Sequence, residues 1–228
     1  MVLKSRDNDQ VQASVGAAMS TPARDEPVVF VVDDSPDVRE GVKALLETVG
    51  LQCKTFESPK EFLVRGPDVG PSCLILDVRL PEMSGLDVQT ELARGSKNIP
   101  TIIITGHGDI PMTVRAMQAG AVSFLTKPVR EQDLLDAVYT ALDKDRARLD
   151  TEFRARELRT RYDSLSGRER EILPLITAGL LNKQIAAEVG LSEVTVKVHR
   201  HKLMAKLNAK RLPDLVRMAD ELGIKRAS

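Results

Sequence analysis

The sequence predicts a doubly wound α/β fold, a five-stranded parallel sheet, followed by a small all-α unit of four helices. Three observations predict it. Short apolar runs alternate five times with amphipathic helical stretches over about 120 residues. Four of those runs end in residues that carry chemistry: Asp33 and Asp34, Asp77, Thr105, and Thr126 with Lys127. From residue 165 the short runs cease, and helical stretches separated by Gly179 and Gly190 take over.

The elements follow in order. Residues 28–32 form a β-branched and aromatic run, and Ser35 and Pro36 open a helix with Val38, Val42, Leu45, Leu46 and Val49 at helical spacing before Gly50. A strand over 51–56 and a helix over 58–64 come next. The stretch SCLILDVRLP, 72–81, is central: Cys73 to Leu76 is too short for a typical helix and fits a strand buried on both faces, with Asp77 emerging at its carboxyl end. A helix over 84–94, a strand over 99–104, a helix over 110–119, a strand over 121–125 and a helix from Glu131 complete the alternation. Residues 1–26 are small and polar without a period and read as a disordered tail.

Composition bounds the possibilities. In 228 residues, 33 Lys and Arg balance 33 Asp and Glu, and 42% are hydrophobic, as in an ordinary water-soluble protein. The balance hides an asymmetry. From Asp163 onward there are 12 basic against 8 acidic residues, leaving 21 against 25 before it. No apolar run approaches the roughly 20 residues of a membrane span, and no signal peptide opens the chain, so a cytoplasmic protein is expected. Cys53 and Cys73 both fall in strands read as buried and are expected to be reduced.

In an open parallel sheet the carboxyl ends of the strands line one crevice, so Asp33, Asp34, Asp77, Thr105 and Lys127 should meet there. Three adjacent carboxylates repel one another and need a cation. Oxygen ligands of this kind suit Mg²⁺. Asp77 would then attack phosphorus, with Lys127 neutralising phosphoryl oxygens and Thr105 hydrogen-bonding one of them.

The stretches FVVDDSPDVREGV, LILDVRLPEMSGLD and IIITGHGDIPMTVRAMQAGAVSFLTKP resemble the receiver domain of two-component response regulators, which has a flavodoxin-like fold. The resemblance implies that Asp77 is phosphorylated and that Asp33 and Asp34 bind Mg²⁺, Asp34 directly. The backbone carbonyl of Arg79 would complete the metal site. It further implies Thr105 and Phe124 as a switch pair and a cis Lys127–Pro128 bond. Phe124 stands where many members carry Tyr, and it lacks that hydroxyl.

Helical character continues over 131–162 without Gly or Pro. Leu135, Leu142 and Leu149 recur every seven residues, but Asp145 and Glu152 interrupt the seam, so a solvated helix is expected rather than a coiled coil. Beyond it, helices over 167–178, 182–189, 192–207 and 212–222 with short glycine turns give the helix-turn-helix pattern, Ser192 capping the second member. On that helix Val196, Leu203 and Leu207, with His199 or Arg200, suit a core. Val194, Lys197, Val198, His201 and Ala205 share the other face, and Lys202 and Lys206 lie further round, towards phosphates.

The stretch LSGREREILPLITAGLLNKQIAAEVGLSEVTVKVHRHKLMAKL is similar to the LuxR-type DNA-binding domain, and TGHGD with NKQIA points to the FixJ-like branch of response regulators. This implies Lys197, Val198 and His201 as base readers, Lys183 and Lys202 as phosphate contacts, and the last helix as a dimer surface. Expected segments are the tail 1–26, receiver 27–143, helical linker 144–163 and DNA-binding domain 164–228. The implied partners are a sensor histidine kinase, double-stranded promoter DNA and RNA polymerase. A homodimer would form on phosphorylation, and no membrane is involved. Two alternatives stand beside this: a DNA-binding regulator that ignores phosphorylation, and a phosphatase passing through an aspartyl phosphate. The latter needs an acid or base two residues after the nucleophile, where Arg79 stands.

Overall fold

The computed structural model of the chain describes residues 26–65, 70–81, 83–94 and 99–224, so residues 1–25 of the expected tail lie outside the described residues. It divides into two compact units, 1–142 and 143–228.

The first unit is a parallel sheet of five strands, β1 (Val28–Val32), β2 (Gln52–Phe56), β3 (Ser72–Asp77), β4 (Thr101–Thr105) and β5 (Ser123–Thr126), in the order β2-β1-β3-β4-β5. Helices α1 (Pro36–Thr48), α2 (Pro59–Arg65), α3 (Gly85–Arg94), α4 (Ile110–Gln118) and α5 (Glu131–Asp163) alternate with them. Every residue of β1, β3 and β4 is buried, because helices cover both faces. Alternation splits these strands between two cores. Phe30, Val32, Leu74, Leu76 and Ile103 face α2, α3 and α4, where the rings of Phe30, Phe56 and Phe62 meet tilted or edge-on with centroids 5.5–6.1 Å apart. Val29, Val31, Cys73, Ile75 and Ile104 face α1 and the first turns of α5, through Leu46, Val138, Ala141 and Leu142.

Two expectations need correction here. Cys53 is only half-buried, because β2 is an edge strand with alternating exposure, although enough surrounds its thiol for burial to push its pKa up to about 12. Asp145, expected to sit in a solvated face, is fully buried and paired with Arg148 at 2.8 Å.

In the second unit, the last turns of α5 and helices α6 (Gly167–Thr177), α7 (Asn182–Val189), α8 (Glu193–Leu207) and α9 (Leu212–Glu221) pack around Ile172, Leu173, Ile176, Ile185, Val196, Leu203, Leu207 and Leu215. Gly190 turns the chain between α7 and α8 at φ +67, a conformation that a Cβ would strain. Glu169, at the start of α6, forms a capping box with Ser166 and accepts a 2.7 Å hydrogen bond from Lys206, which also donates to the Ser164 carbonyl at 3.1 Å.

That pairing predicts an acid sensitivity. Burial would raise the Glu169 carboxyl, but the Lys206 ammonium and the Ser166 amide and hydroxyl outweigh it and hold the pKa below its ordinary value. The folded state therefore binds this proton less tightly than the unfolded chain does. Its stabilisation is fully present above about pH 4.3 and is lost as pH falls through the lower folded value. Glu169→Gln should cost the second unit about 2 kcal/mol at neutral pH, the scale of a hydrogen bond to a charged group. Melting curves taken from pH 7 to pH 3 should show the mutant and wild type converging at the acid end.

Candidate functional site: a carboxylate crevice and a cationic helix

The crevice forms where the strand order reverses, between β1 and β3. Asp33 and Asp34 follow β1 directly and Asp77 ends β3, and a carboxylate oxygen from each lies within 4.8 Å of the others. Asp33 is fully buried, Asp77 nearly so, and Asp34 exposed. Local backbone amides orient two of the acids. The Ser35 amide donates to Asp33 Oδ1 at 3.0 Å, Arg39 clamps the Asp33 carbonyl at 2.7 Å, and the Arg79 amide donates to Asp77 Oδ1 at 3.2 Å.

Lys127 closes the site from the end of β5, its Nζ donating to Asp33 Oδ2 and Asp77 Oδ2 at 2.7 Å each. Its peptide bond to Pro128 is cis. Burial, helped by the Asp77 charge, pushes the Asp33 carboxyl above its ordinary value despite the hydrogen bonds from Lys127 and Ser35 and the Lys127 charge, which pull it down. Burial also works against the charged ammonium of Lys127, but the two carboxylates prevail and its pKa is raised. One shared ammonium is thus less positive charge than three carboxylates call for. An all-oxygen donor set short of cations fits a hard divalent ion such as Mg²⁺.

Thr105 is fully buried at the end of β4, its hydroxyl accepting from the His107 amide at 3.3 Å and its carbonyl from the Lys127 amide at 2.8 Å. Phe124 is half-buried two rungs back on β5 and leaves no room for a Cβ at Gly108, which would come within 2.9 Å of its ring. Sequence reasoning missed Gly85. A Cβ there would overlap the Asp77 carbonyl, and the Gly85 amide donates to the Val78 carbonyl at 3.0 Å, so the glycine lets α3 start against the nucleophile loop. An isolated Gly at the start of a helical stretch was the available signal.

In the second unit Lys197, His201, Lys202 and Lys183 are exposed, and Val198 is 47% exposed. Val196, Leu203 and Leu207 are buried on the opposite face of α8. Ser192 caps α8, its Oγ accepting from the Thr195 amide at 3.1 Å. Lys206, although exposed, is already paired within the unit, donating to Glu169 at 2.7 Å and to the Ser164 carbonyl at 3.1 Å. Arg200 is anchored to Asn182 at the start of α7 at 3.2 Å. His199 is half-buried with its Nδ1 out of solvent and without a hydrogen-bond partner among the described residues, an inward-facing position. Lys197, Arg200, His201, Met204 and Lys210 line a cleft of about 470 Å³, and Lys210 is a cation that the helical pattern did not single out.

Comparison with known proteins agrees with both halves. Residues 29–139 match the response regulator receiver domain family, and residues 163–219 match the bacterial regulatory proteins of the luxR family. Nodulation protein W of Bradyrhizobium diazoefficiens is 50% identical over 92% of this chain and 92% of its own. Response regulator protein TmoT of Ectopseudomonas mendocina is 48% identical over 86% of this chain and 90% of its own. The transcriptional regulatory protein FixJ of Rhizobium meliloti is 43% identical, covering 84% and 94%. Among solved structures, the response regulator StyR superposes with a TM-score of 0.79 at 47% identity over 86% of this chain and 99% of its own. Full-length FixJ from B. japonicum gives 0.52 at 34%, covering 88% and 98%. These families regulate transcription, which sets aside the phosphatase alternative. The chain belongs to the FixJ-like branch of the two-component response regulators, in which a receiver domain precedes a LuxR-type DNA-binding domain.

Proposed function

We propose that a sensor histidine kinase phosphorylates Asp77 and that the phosphorylated chain dimerises and binds promoter DNA in a sequence-specific way to regulate transcription. The observation that carries this reading is Lys127 Nζ bridging Asp33 and Asp77 at 2.7 Å, with Asp34 beside them. An Asp77 carboxylate oxygen attacks the phosphorus of a phosphohistidine; the new O–P bond forms as the P–N bond breaks, and the leaving imidazole takes up a proton. Lys127 balances charge on the phosphoryl oxygens. Asp33, Asp34, Asp77 and the Arg79 carbonyl would hold Mg²⁺, which when bound supplies further positive charge to those oxygens. A groove of about 370 Å³ between α1 and the β5–α5 loop, with Val38, Val42 and Pro128 in its walls and Lys127 on its edge, offers the kinase a docking surface next to the nucleophile.

Coupling to assembly runs through Thr105. Phosphorylation places an anionic acceptor at its hydroxyl, which gives up the His107 amide and lets Phe124 repack, a local charge event biasing a two-state element. Helix α4 beside β5 exposes Ile110, Val114 and Met117 at helical spacing, apolar surface suited to a second copy of the chain, and α9 would serve the DNA-bound dimer. Among the described residues no helix is long and apolar enough to cross a membrane. The DNA target supports a cytoplasmic site of action, where RNA polymerase is the downstream partner. Thr105→Ala should still accept phosphate but lose the phosphorylated dimer. Light scattering with a small phosphodonor and Mg²⁺ tests this, and a mutant that doubles its mass like wild type would move the coupling to other residues.

A further inference from the structure

We propose that Val194 reads the methyl group of a thymine, next to a second thymine met by Val198, so that each half-site of the operator contains two methyl-bearing positions one or two base pairs apart. This rests on α8 acting as the recognition helix. Val194 is 70% exposed and Val198 47%, whereas Val196, Leu203 and Leu207 on this helix are buried, Met204 is half-buried, and Ala205, though exposed, offers only a methyl. Exposed apolar residues are ordinary by themselves, and Val64 on α2 is one. What distinguishes this pair is its alignment. The valines stand one turn apart with exposed Lys197 between them and exposed His201 a turn beyond it, so apolar groups and hydrogen-bond donors alternate along one face.

The spacing fits the duplex. Residues i and i+4 hold their Cβ atoms roughly 5–6 Å apart, against about 3.4 Å per base-pair step. Val194 is the second residue of α8, and the first residues of a recognition helix are those that reach base edges. That turn is also fixed: Ser192 Oγ accepts from the Thr195 amide at 3.1 Å and lies 2.7 Å from the Thr195 hydroxyl, so the valine is displayed from ordered backbone. Its branched Cβ restricts χ1, and docking against a methyl freezes little additional motion. In the major groove the C5 methyl is what an apolar side chain can recognise on thymine.

The test begins by selecting preferred sites from a random duplex library with the full phosphorylated chain. Each thymine of the selected half-site is then replaced by deoxyuridine, which removes only the methyl, and binding of wild type and Val194→Ala is compared. Two positions should be methyl-sensitive in wild type, each losing about fourfold per half-site, the scale of one buried carbon group. At one of them Val194→Ala should bind thymine and uracil alike, while the other keeps its sensitivity. The inference is overturned if no position is methyl-sensitive, or if uracil has the same effect on both proteins at every position. Failure to select any sequence would overturn the DNA-binding reading itself, and this inference with it.

Discussion

Asp77→Asn should leave the chain folded and abolish its labelling by a small phosphodonor in the presence of Mg²⁺, a loss of at least roughly a thousandfold, as when the nucleophile of a covalent step is removed. Asn has the shape of Asp but no anionic oxygen to attack phosphorus. Folding should survive because Lys127 keeps its 2.7 Å partner Asp33, and the substitution removes one charge from a cluster that carries too many of the same sign. Phosphorylation followed by intact-mass measurement checks the loss, and a melting curve checks the fold. Labelling of the mutant at a rate comparable with wild type would move the acceptor away from β3.

The second large effect belongs to α8. Lys197→Ala should cost about 1–3 kcal/mol per half-site and relax preference at one base pair, since Lys197 stands beside Val198 and His201 on the face opposite the buried Val196, Leu203 and Leu207. Lys202→Ala should instead weaken all sequences alike and reduce the salt slope by about one for each phosphate left without its lysine. A dimer applies either loss twice, over half-sites about 10 base pairs or a multiple of that apart. Competition assays against single-base operator variants at two salt concentrations separate the two behaviours. If Lys202→Ala changes sequence preference while Lys197→Ala does not, the helix enters the groove in a different rotation.

The parallel sheet was legible because β1, β3 and β4 are buried throughout, and a strand covered on both faces leaves an unbroken apolar run. Its acids were legible for a related reason, as lone charged residues at the ends of such runs. What pattern alone could not supply was long-range. The edge position of β2 depends on strand order, which the apolar run around Cys53 does not encode, so its half-burial is visible only in the fold. Lys206 sits one turn from Lys202 in sequence, yet Glu169, 37 residues away, claims its charge. Asp145 interrupts an apolar seam in the sequence, and the Arg148 side chain that hydrogen-bonds it in its buried position is a contact the seam does not reveal. Gly85 likewise matters through what lies against it, the Asp77 carbonyl, which helical spacing does not reveal.

Control of DNA binding by the charge state of Asp77 is tested by the dissociation constant of the full chain for a selected operator with and without phosphodonor and Mg²⁺, measured for wild type and Asp77→Asn in parallel. Phosphodonor should tighten wild-type binding and make it steeper in protein concentration, as a dimer requires, while leaving the mutant at the wild-type unphosphorylated value. Equal operator affinity of the wild-type chain with and without confirmed phosphorylation would contradict it and favour a DNA-binding regulator indifferent to its own receiver site.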